Sequence, residues 1–256
     1  MFAGIVYLDK NLSIDNELKL DLKKNISRKP QFNIIEKDFG NSYFVRLNTE
    51  ALTDYPGFFC EEDNCFSVMA GEPLITKSGN KSDHSILIKA VRQDNFSDFI
   101  NVRGVFCCAV YTEDNNKPVL ALFADKLGVR PIYYWRNGEV VVFSTALRVL
   151  EALDIVPKKR DECGVAQNIA FGYPLGERTQ YENISVIREA EIIRFEMHEN
   201  KKKNYWDWSK IEASNVAMDD AIYEAYHVFK ESIALRLKGD LDAISFLSGE
   251  IGRAHV

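Results

Sequence analysis

Residues 121–134 read ALFADKLGVRPIYY, an apolar strand followed by a polar turn and the beginning of a second apolar strand. We expect Gly128 to supply a positive φ within the turn, because glycine has no Cβ that would clash there. Asp125 is expected to cap backbone N–H groups or to pair with Arg130. The segment therefore predicts a structural turn between two strands rather than a catalytic cluster.

Strand-like patterns extend from this turn in both directions. Short apolar or alternating runs, separated by turn residues such as Asn137-Gly138, dominate the first two hundred residues. We predict strands at Phe2–Tyr7, Asn41–Leu47, Cys65–Ala70, Val105–Thr112, Val119–Ala124, Ile132–Trp135 and Val140–Ser144, and two more within Ile184–Glu196. Helical periodicity predicts helices at Ser82–Arg92, with a partner helix at Asn95–Asn101, and at Leu147–Leu153 and Asp161–Phe171, the last closed by Gly172.

The pattern changes near residue 200. A polar stretch covers 197–213, and Lys201-Lys202-Lys203 within it predicts a solvated turn. An amphipathic helix then begins near Asp219 and ends at Gly239. An apolar strand of the parallel type follows at Leu241–Leu247. The change from hairpins to helix and strand predicts a domain boundary near 200–216.

Composition and charge argue against several classes of protein. A net charge of −6 and a pI near 5.4 disfavour a nucleic acid or an anionic membrane as the main partner. No apolar run approaches the length of a membrane span, and Met1–Lys10 lacks the basic start of a signal peptide. The five cysteines show no metal-binding spacing, and Cys107-Cys108 lie in an apolar run where cysteine packs as a small hydrophobe. We expect a cytoplasmic protein without a metal site.

Further motifs stand in the order of one family's signature segments. Residues 121–134 are similar to a strand and turn written RDxxGxxPLYY, and residues 143–146 to a strand written FASE. Residues 172–179 resemble GxxPGxxT, and residues 205–207 match YWD. Residues 247–249 are similar to the first half of a loop written LSGGxDS. In this order and spacing, the chain resembles the asparagine synthase family.

The resemblance implies an α+β fold with two domains. Residues 1–200 would form a class II glutamine amidotransferase-like domain, an αββα sandwich of the N-terminal-nucleophile hydrolase type. A linker would occupy 201–215. Residues 216–249 would then supply the first helix and strand of an α/β ATP-pyrophosphatase domain, which adenylates a carboxylate so that an amine can attack it.

The end of the chain carries two expectations. The strand that ends at Leu247 runs into a turn typical of a phosphate-binding loop. The resemblance implies that Leu247, Ser248 and Gly249 bind ATP, which Mg²⁺ would accompany in the intact protein. Residues 250–256 offer neither a second glycine nor a helix, and their back-translation matches a sequencing-library adapter. We expect them to be a non-native tail on a truncated chain.

The resemblance also predicts a lost nucleophile. In the family, a mature N-terminal cysteine supplies the thiol, and its own α-amine acts as base. Gly4-Ile5 match the residues that follow that cysteine, so Ala3 occupies the nucleophile position. Phe2 would in any case block exposure of residue 3 by methionine removal. We therefore expect no catalytic residue in this domain and no glutamine hydrolysis.

A vestigial glutamine site is expected around that position. Arg46 stands where the family's arginine holds the glutamine carboxylate, and Asp83 where an acid holds the α-amine. Ala70, Gly71 and Glu72 replace the family's NGE, so the amide that stabilises the oxyanion is missing at Ala70. Loss of one such donor costs roughly 2.7–4 kcal/mol of transition-state stabilisation.

The resemblance leaves several functions open for the intact protein. It would be an ATP-dependent ligase acting on a small-molecule or peptide carboxylate, as in lasso-peptide cyclases and β-lactam synthetases. An ammonia-using asparagine synthetase is the conservative variant. A non-catalytic scaffold or docking domain is the alternative, and a homodimer is open in every case.

Overall fold

The chain has two compact units, Met1–Lys210 and Ile211–Val256. A computed structural model describes residues 1–29, 32–48, 57–61, 65–74, 81–114 and 117–237. The expected strand at 241–247, the expected ATP loop at 247–249 and the expected tail at 250–256 lie outside the described residues.

The first unit is built on two six-stranded antiparallel sheets. Among the described residues the strands are β1 Phe2–Tyr7, β2 Asn33–Asp38, β3 Ser42–Asn48, β4 Phe58–Glu61, β5 Cys65–Glu72, β6 Val105–Asp114, β7 Lys117–Ala124, β8 Tyr133–Asn137, β9 Val140–Ser144, β10 Ile184–Val186, β11 Glu191–Phe195 and β12 Asn200–Asn204. The first sheet has the order β10-β8-β9-β1-β3-β2, and the second has the order β12-β11-β7-β6-β5-β4. The predicted strands are confirmed, with β1 and β9 keeping their predicted bounds.

Alternation along the strands divides the core into layers. On β1, Phe2 and Val6 point toward the second sheet, whereas Ala3 and Ile5 point toward helices on the other side. A buried layer between the sheets includes Phe44 of β3, Phe66 of β5, Ala109 of β6, Leu122 of β7 and Phe143 of β9. Side chains that alternate in this way let each sheet bury both of its faces.

Helices cover the outer faces of both sheets. The helices of the first unit are α1 Asn16–Ile26, α2 Lys81–Gln93, α3 Leu147–Glu151 and α4 Glu162–Phe171. Leu22 and Ile26 of α1, with Val149 and Leu150 of α3, pack on the first sheet. Leu87, Ile88 and Val91 of α2 pack on the second sheet. The arrangement of helix, sheet, sheet and helix is the αββα sandwich of N-terminal-nucleophile hydrolases, which confirms the predicted fold class.

Two predicted elements differ from the structure. The partner helix expected at Asn95–Asn101 is only a 3-10 turn, Ser97–Asn101, which follows Asp94 at a positive φ of 49°. The Lys201-Lys202-Lys203 turn and the start of the linker expected at 201–215 are instead strand β12, which pairs with β11 along its whole length. Tyr205 after it is buried, and its hydroxyl donates to the carbonyl of Ala124 at 2.8 Å.

The edge position of β12 explains its composition. All five residues of β12 are exposed, and lysines on an edge strand discourage pairing with another sheet. Lys202 pairs with Glu177, and Lys203 lies over the ring of Phe96 at 5.3 Å. The polar sequence therefore reflects a place at the sheet edge rather than a turn.

The second unit is represented by one described helix, α5, Met218–Arg236. It begins one residue before the predicted start at Asp219. The predicted end at Gly239 lies outside the described residues. No helix in the described part of the chain is both long and apolar enough to cross a membrane.

Candidate functional site

The first three residues are fixed inside the first sheet. β1 pairs on one side with β3 and on the other with β9. The N–H of Phe2 donates to Thr145 Oγ1 at 3.2 Å, and the N–H of Thr145 donates to the Phe2 carbonyl at 3.0 Å. The N–H of Leu47 donates to the Met1 carbonyl at 2.9 Å. The N-terminus is thus an ordered end of a central strand.

Phe2 and Ala3 point to opposite faces of the first sheet. Phe2 is fully buried between the sheets, with its ring 6.2 Å from that of Phe143 in an edge-to-face arrangement. Ala3 is also fully buried, but it belongs to the layer beneath the helices. Ala3 was expected at the nucleophile position. Its side chain points away from the space between the sheets, toward which Phe2 and Ala70 point.

Arg46 lies on the same face as Phe2, its direct partner across β1 and β3. Its guanidinium packs on Gly57, where an added Cβ would sit only 1.8 Å from Arg46 Cζ. Arg46 as a whole is partly exposed, but its Nε is buried and has no hydrogen-bond partner among the described residues. Burial lowers the pKa of Arg46, because desolvation disfavours the charged form.

The end of β5, in the second sheet, carries the next three expected site residues. Ala70 is buried in the layer between the sheets and pairs with Cys107 across β5 and β6. Gly71 has a φ of 89°, and a Cβ there would lie 2.1 Å from the Val105 carbonyl oxygen and 2.7 Å from Arg130 Nε. Only glycine tolerates this position, because both the backbone angle and the close contacts exclude a side chain. Glu72 follows, partly exposed at the end of the strand.

Burial and two nearby arginines lower the pKa of the Met1 amine. Burial lowers the pKa of this amine below its ordinary 8.0, and the positive charges of Arg46 and Arg130 lower it further.

The two thiols of β6 are unreactive. Cys107 is fully buried, and burial raises its pKa to about 12. Cys108 is also fully buried, and its pKa is raised well above the ordinary value for the same reason. Both thiols stay protonated near neutral pH, and a thiol reacts as its thiolate. The prediction that Cys107 and Cys108 are structural is confirmed by their burial.

Asp83 lies in the first turn of α2 and is fully buried and engaged in interactions with other groups. The next residue, His84, received no role from the sequence, but it is also fully buried. Its Nδ1 lies 2.5 Å from the Oγ of Ser67, which is buried on β5. A polar residue at the strand position that faces α2 is the signal that could have indicated this pair.

The turn at 125–131 has the structural role predicted for it. Gly128 has a φ of 62°. Asp125 Oδ1 accepts from the N–H groups of Leu127 at 2.9 Å and Val129 at 3.3 Å, and Oδ2 accepts from that of Phe106 at 3.2 Å. Of the two roles expected for Asp125, the backbone cap is the one present.

The site offers cations and close packing rather than nucleophiles. Phe2 and Ala70 belong to the layer between the sheets, Arg46 is the direct partner of Phe2, and Arg130 lies over the backbone of Gly71. Among the described residues, no group of three or more His, Cys, Asp or Glu side chains could hold a metal ion. Together, fold and site define an N-terminal-nucleophile-type sandwich in which β1 begins with Phe-Ala-Gly.

Comparison with known proteins agrees with this class. Residues 74–206 match the model of the glutamine amidotransferase domain, which covers more than half of the chain. The chain belongs to this domain family. It superposes on the glutamine phosphoribosylpyrophosphate amidotransferase of B. subtilis with a TM-score of 0.50 and 10% identity, over 80% of this chain and 49% of that one. At that identity the likeness concerns the fold alone.

Curated relatives include asparagine synthetases. Asparagine synthetase [glutamine-hydrolyzing] 3 of Bacillus subtilis is 25% identical over 165 residues, which is 64% of this chain and 26% of the relative. A putative asparagine synthetase [glutamine-hydrolyzing] 2 of Methanocaldococcus jannaschii is 22% identical over 186 residues, 72% of this chain and 35% of the relative. The chain thus spans about a quarter to a third of the length of these relatives.

Proposed function

We propose that the first unit is a glutamine amidotransferase domain that no longer hydrolyses glutamine. The observation that carries the proposal is the start of β1. An N-terminal nucleophile needs a thiol or hydroxyl beside a free α-amine. Here Phe2 is buried in the core, and Ala3, at the nucleophile position, has no nucleophilic atom.

Ala70 and Cys107, in the second sheet, support the same proposal. Stabilisation of an oxyanion requires donors aimed at the developing charge, and the methyl group of Ala70 offers none. The buried thiol of Cys107 cannot replace the missing nucleophile, because its raised pKa keeps it protonated. The vestigial glutamine site of Arg46, Ala70, Gly71, Glu72 and Asp83 therefore lacks the groups for acyl transfer.

We propose further that this domain precedes a catalytic region of the asparagine synthase type. The similarity to asparagine synthetases supports this, because the matched segments are only 26% and 35% of the two relatives. The intact protein would be an ATP-dependent, amide-forming ligase. ATP with Mg²⁺ would activate the carboxylate. ATP would be bound in part by Leu247, Ser248 and Gly249, which lie outside the described residues.

The loss of glutaminase chemistry favours a ligase whose amine is already part of the substrate. A peptide macrocyclase has this property, because one molecule carries both the carboxylate and the amine. An asparagine synthetase that uses free ammonia is the alternative. Isotope exchange between pyrophosphate and ATP by the intact protein, with candidate carboxylates added one at a time, separates these reactions.

Glutamate release from glutamine tests the loss of glutaminase activity. We expect no turnover by the purified chain and no labelling by a thiol-reactive glutamine analogue. A variant that lacks Phe2 and carries Ala3→Cys restores a processed N-terminal cysteine, and we expect little or no activity because the donor at position 70 is still absent. Adding Ala70→Asn to that variant is the matched comparison. Steady turnover by the unaltered chain would overturn the proposal.

A further inference from the structure

α4 turns an apolar face to solvent. Gly164 is buried, and a Cβ there would lie only 2.0 Å from the carbonyl oxygen of Thr179, so this side of the helix lies directly on the backbone. Ala166 comes two residues later, which places it about 160° around the helix axis from Gly164. It is exposed, as are Ile169 and Ala170 on the same face. The outermost face of α4 is therefore apolar, whereas a surface helix normally carries polar residues there.

Local hydrogen bonds hold α4 in place. Asp161 Oδ1 accepts from the N–H of Cys163 at 3.0 Å, and Gly172 ends the helix in the left-handed conformation at a φ of 83°. Gln167 Oε1 accepts from the N–H of Leu175 at 2.9 Å, which ties the following loop to the helix. Caps of this kind satisfy the end groups of a helix without burying its side chains. The helix is therefore fixed while its apolar face stays exposed.

The exposed apolar surface continues from α4 into the loop behind it. Ile169 is 81% exposed, Phe171 59% and Tyr173 63%. Residues 163–176 contain no charged side chain, although 27% of the chain is charged. Another uncharged run, 105–112 in β6, is buried. Exposed aromatic residues without charges are typical of the core of a protein–protein interface. The α4 patch consists of Cys163, Ala166, Ile169, Ala170, Phe171 and Tyr173.

The area and the charge of the α4 patch suit a second copy of the chain. Phe171 and Tyr173 alone expose roughly 250 Å², since an aromatic side chain presents about 150–250 Å² when fully accessible. A standard interface uses about 800 Å² per partner, with an apolar core inside a polar rim. The α4 patch is large enough for such a core. Because residues 163–176 are uncharged, two copies meet without like-charge repulsion, which a two-fold contact of one surface with itself requires.

We propose that the chain forms a two-fold dimer in which the α4 patches of two copies pack on each other. A two-fold axis perpendicular to α4 makes the two helices antiparallel. With the axis between Ala166 and Gln167, Cys163 of one copy lies opposite Ala170 of the other. Small side chains at these positions let the helices approach closely, and Ile169 fills the space beside them. The dimer goes beyond the proposed ligase function and does not depend on it.

Sedimentation equilibrium of the 256-residue chain tests the dimer. We expect a reversible dimer with a dissociation constant of about 1 μM or lower. Ile169→Asp should raise this constant about tenfold or more, because a carboxylate would be buried against apolar groups. Leu20→Asp is the matched control, because Leu20 on α1 is 65% exposed and lies outside the α4 patch. A chain that stays monomeric at about 100 μM would overturn the proposal and leave the patch to a different partner.

A further variant separates the α4 patch from other exposed apolar residues. Phe229 on α5 is 66% exposed, and Phe229→Asp should leave the dissociation constant unchanged. Association that is weakened by Phe229→Asp but not by Ile169→Asp would refute the α4 dimer. Thermal unfolding checks the fold of Ile169→Asp, whose Tm at the lowest concentration should equal that of the unaltered chain. The Tm of the unaltered chain should rise with concentration, and that of Ile169→Asp should not.

A disulfide tests the antiparallel arrangement. Ala170→Cys should form a covalent dimer with Cys163 of the other copy when diamide is added, because the two side chains lie opposite each other. Electrophoresis without reductant measures the covalent dimer. The same variant with Cys163→Ala added is the matched control and should not cross-link. Equal cross-linking of both variants, or none in either, would refute the proposed pairing of the helices.

Discussion

Asp125 is buried and Arg46 has a buried Nε, but the polar atoms of the two side chains are satisfied to different degrees. The carboxylate of Asp125 accepts three backbone N–H groups, which join the turn at 125–131 to β6. The guanidinium of Arg46 lies on the backbone of Gly57, and its buried Nε–H has no acceptor in the part of the chain that the structure describes. The first charge serves the fold, because it satisfies donors that would otherwise be orphaned. The second leaves a buried donor unsatisfied, which costs the fold free energy.

Replacing Asp125 should reduce the free energy of unfolding more than any other substitution considered below. Asp125→Ala leaves one buried and two partly buried N–H groups without their acceptor and should reduce the free energy of unfolding by about 2–4 kcal/mol. Asp125→Asn keeps one acceptor oxygen and should cost about half as much. Urea denaturation measures both. Equal losses for the two variants would mean that side-chain volume rather than hydrogen bonding matters here.

Replacing Gly71, which lies beneath Arg130, should cause the next-largest loss of stability. Gly71→Ala combines a positive φ with overlap against the Val105 carbonyl, and should destabilise the protein by about 3 kcal/mol. Gly138→Ala is the matched control, because Gly138 also has a positive φ, 56°, but nothing lies within 4 Å of its added Cβ. We expect it to cost about 1 kcal/mol. If both losses are alike, the close contact at Gly71 is relieved by local movement.

The contact between Gly57 and Arg46 can be isolated by a double-mutant cycle. Gly57→Ala places a methyl group where the guanidinium lies and should destabilise the chain by about 2 kcal/mol. In an Arg46→Ala background the same change should cost less than about 1 kcal/mol, because the obstructing group is gone. Additive effects in denaturant titrations would show that Arg46 does not rest on Gly57.

The smallest expected effect is on the pH dependence of stability. The pKa of the Met1 amine is lowered in the folded chain, so between that value and the ordinary 8.0 the unfolded chain binds more protons than the folded one. This contribution is fully present above pH 8.0 and is lost as the pH falls through that window. Unfolding at a series of pH values should therefore show stability rising toward pH 8.0. An Nα-acetylated chain should lack this component, and an identical slope in both proteins would contradict the shift.

Residue patterns predicted the strands best where the strand buries both faces. Phe2–Tyr7 and Val140–Ser144 are continuous apolar runs, so each side chain favours the same buried extended element. The pattern did not reveal α1 or β2, whose charged residues face solvent on one side. It failed at β12, because a lysine-rich strand at an edge is stabilised by its pairing with β11 rather than by its own side chains.

The chain's own sequence determined the fold class, the turn at Asp125 and the absence of a nucleophile at Ala3. These depend on local chemistry: the apolar period of each strand, a glycine at a positive φ and the atoms a side chain possesses. Only the tertiary structure decided that Arg46 meets Gly57, that Arg130 lies over Gly71 and that His84 bonds to Ser67. Those contacts join residues from different sheets and helices, and strand register and sheet packing set their geometry. No run of neighbouring residues encodes that geometry.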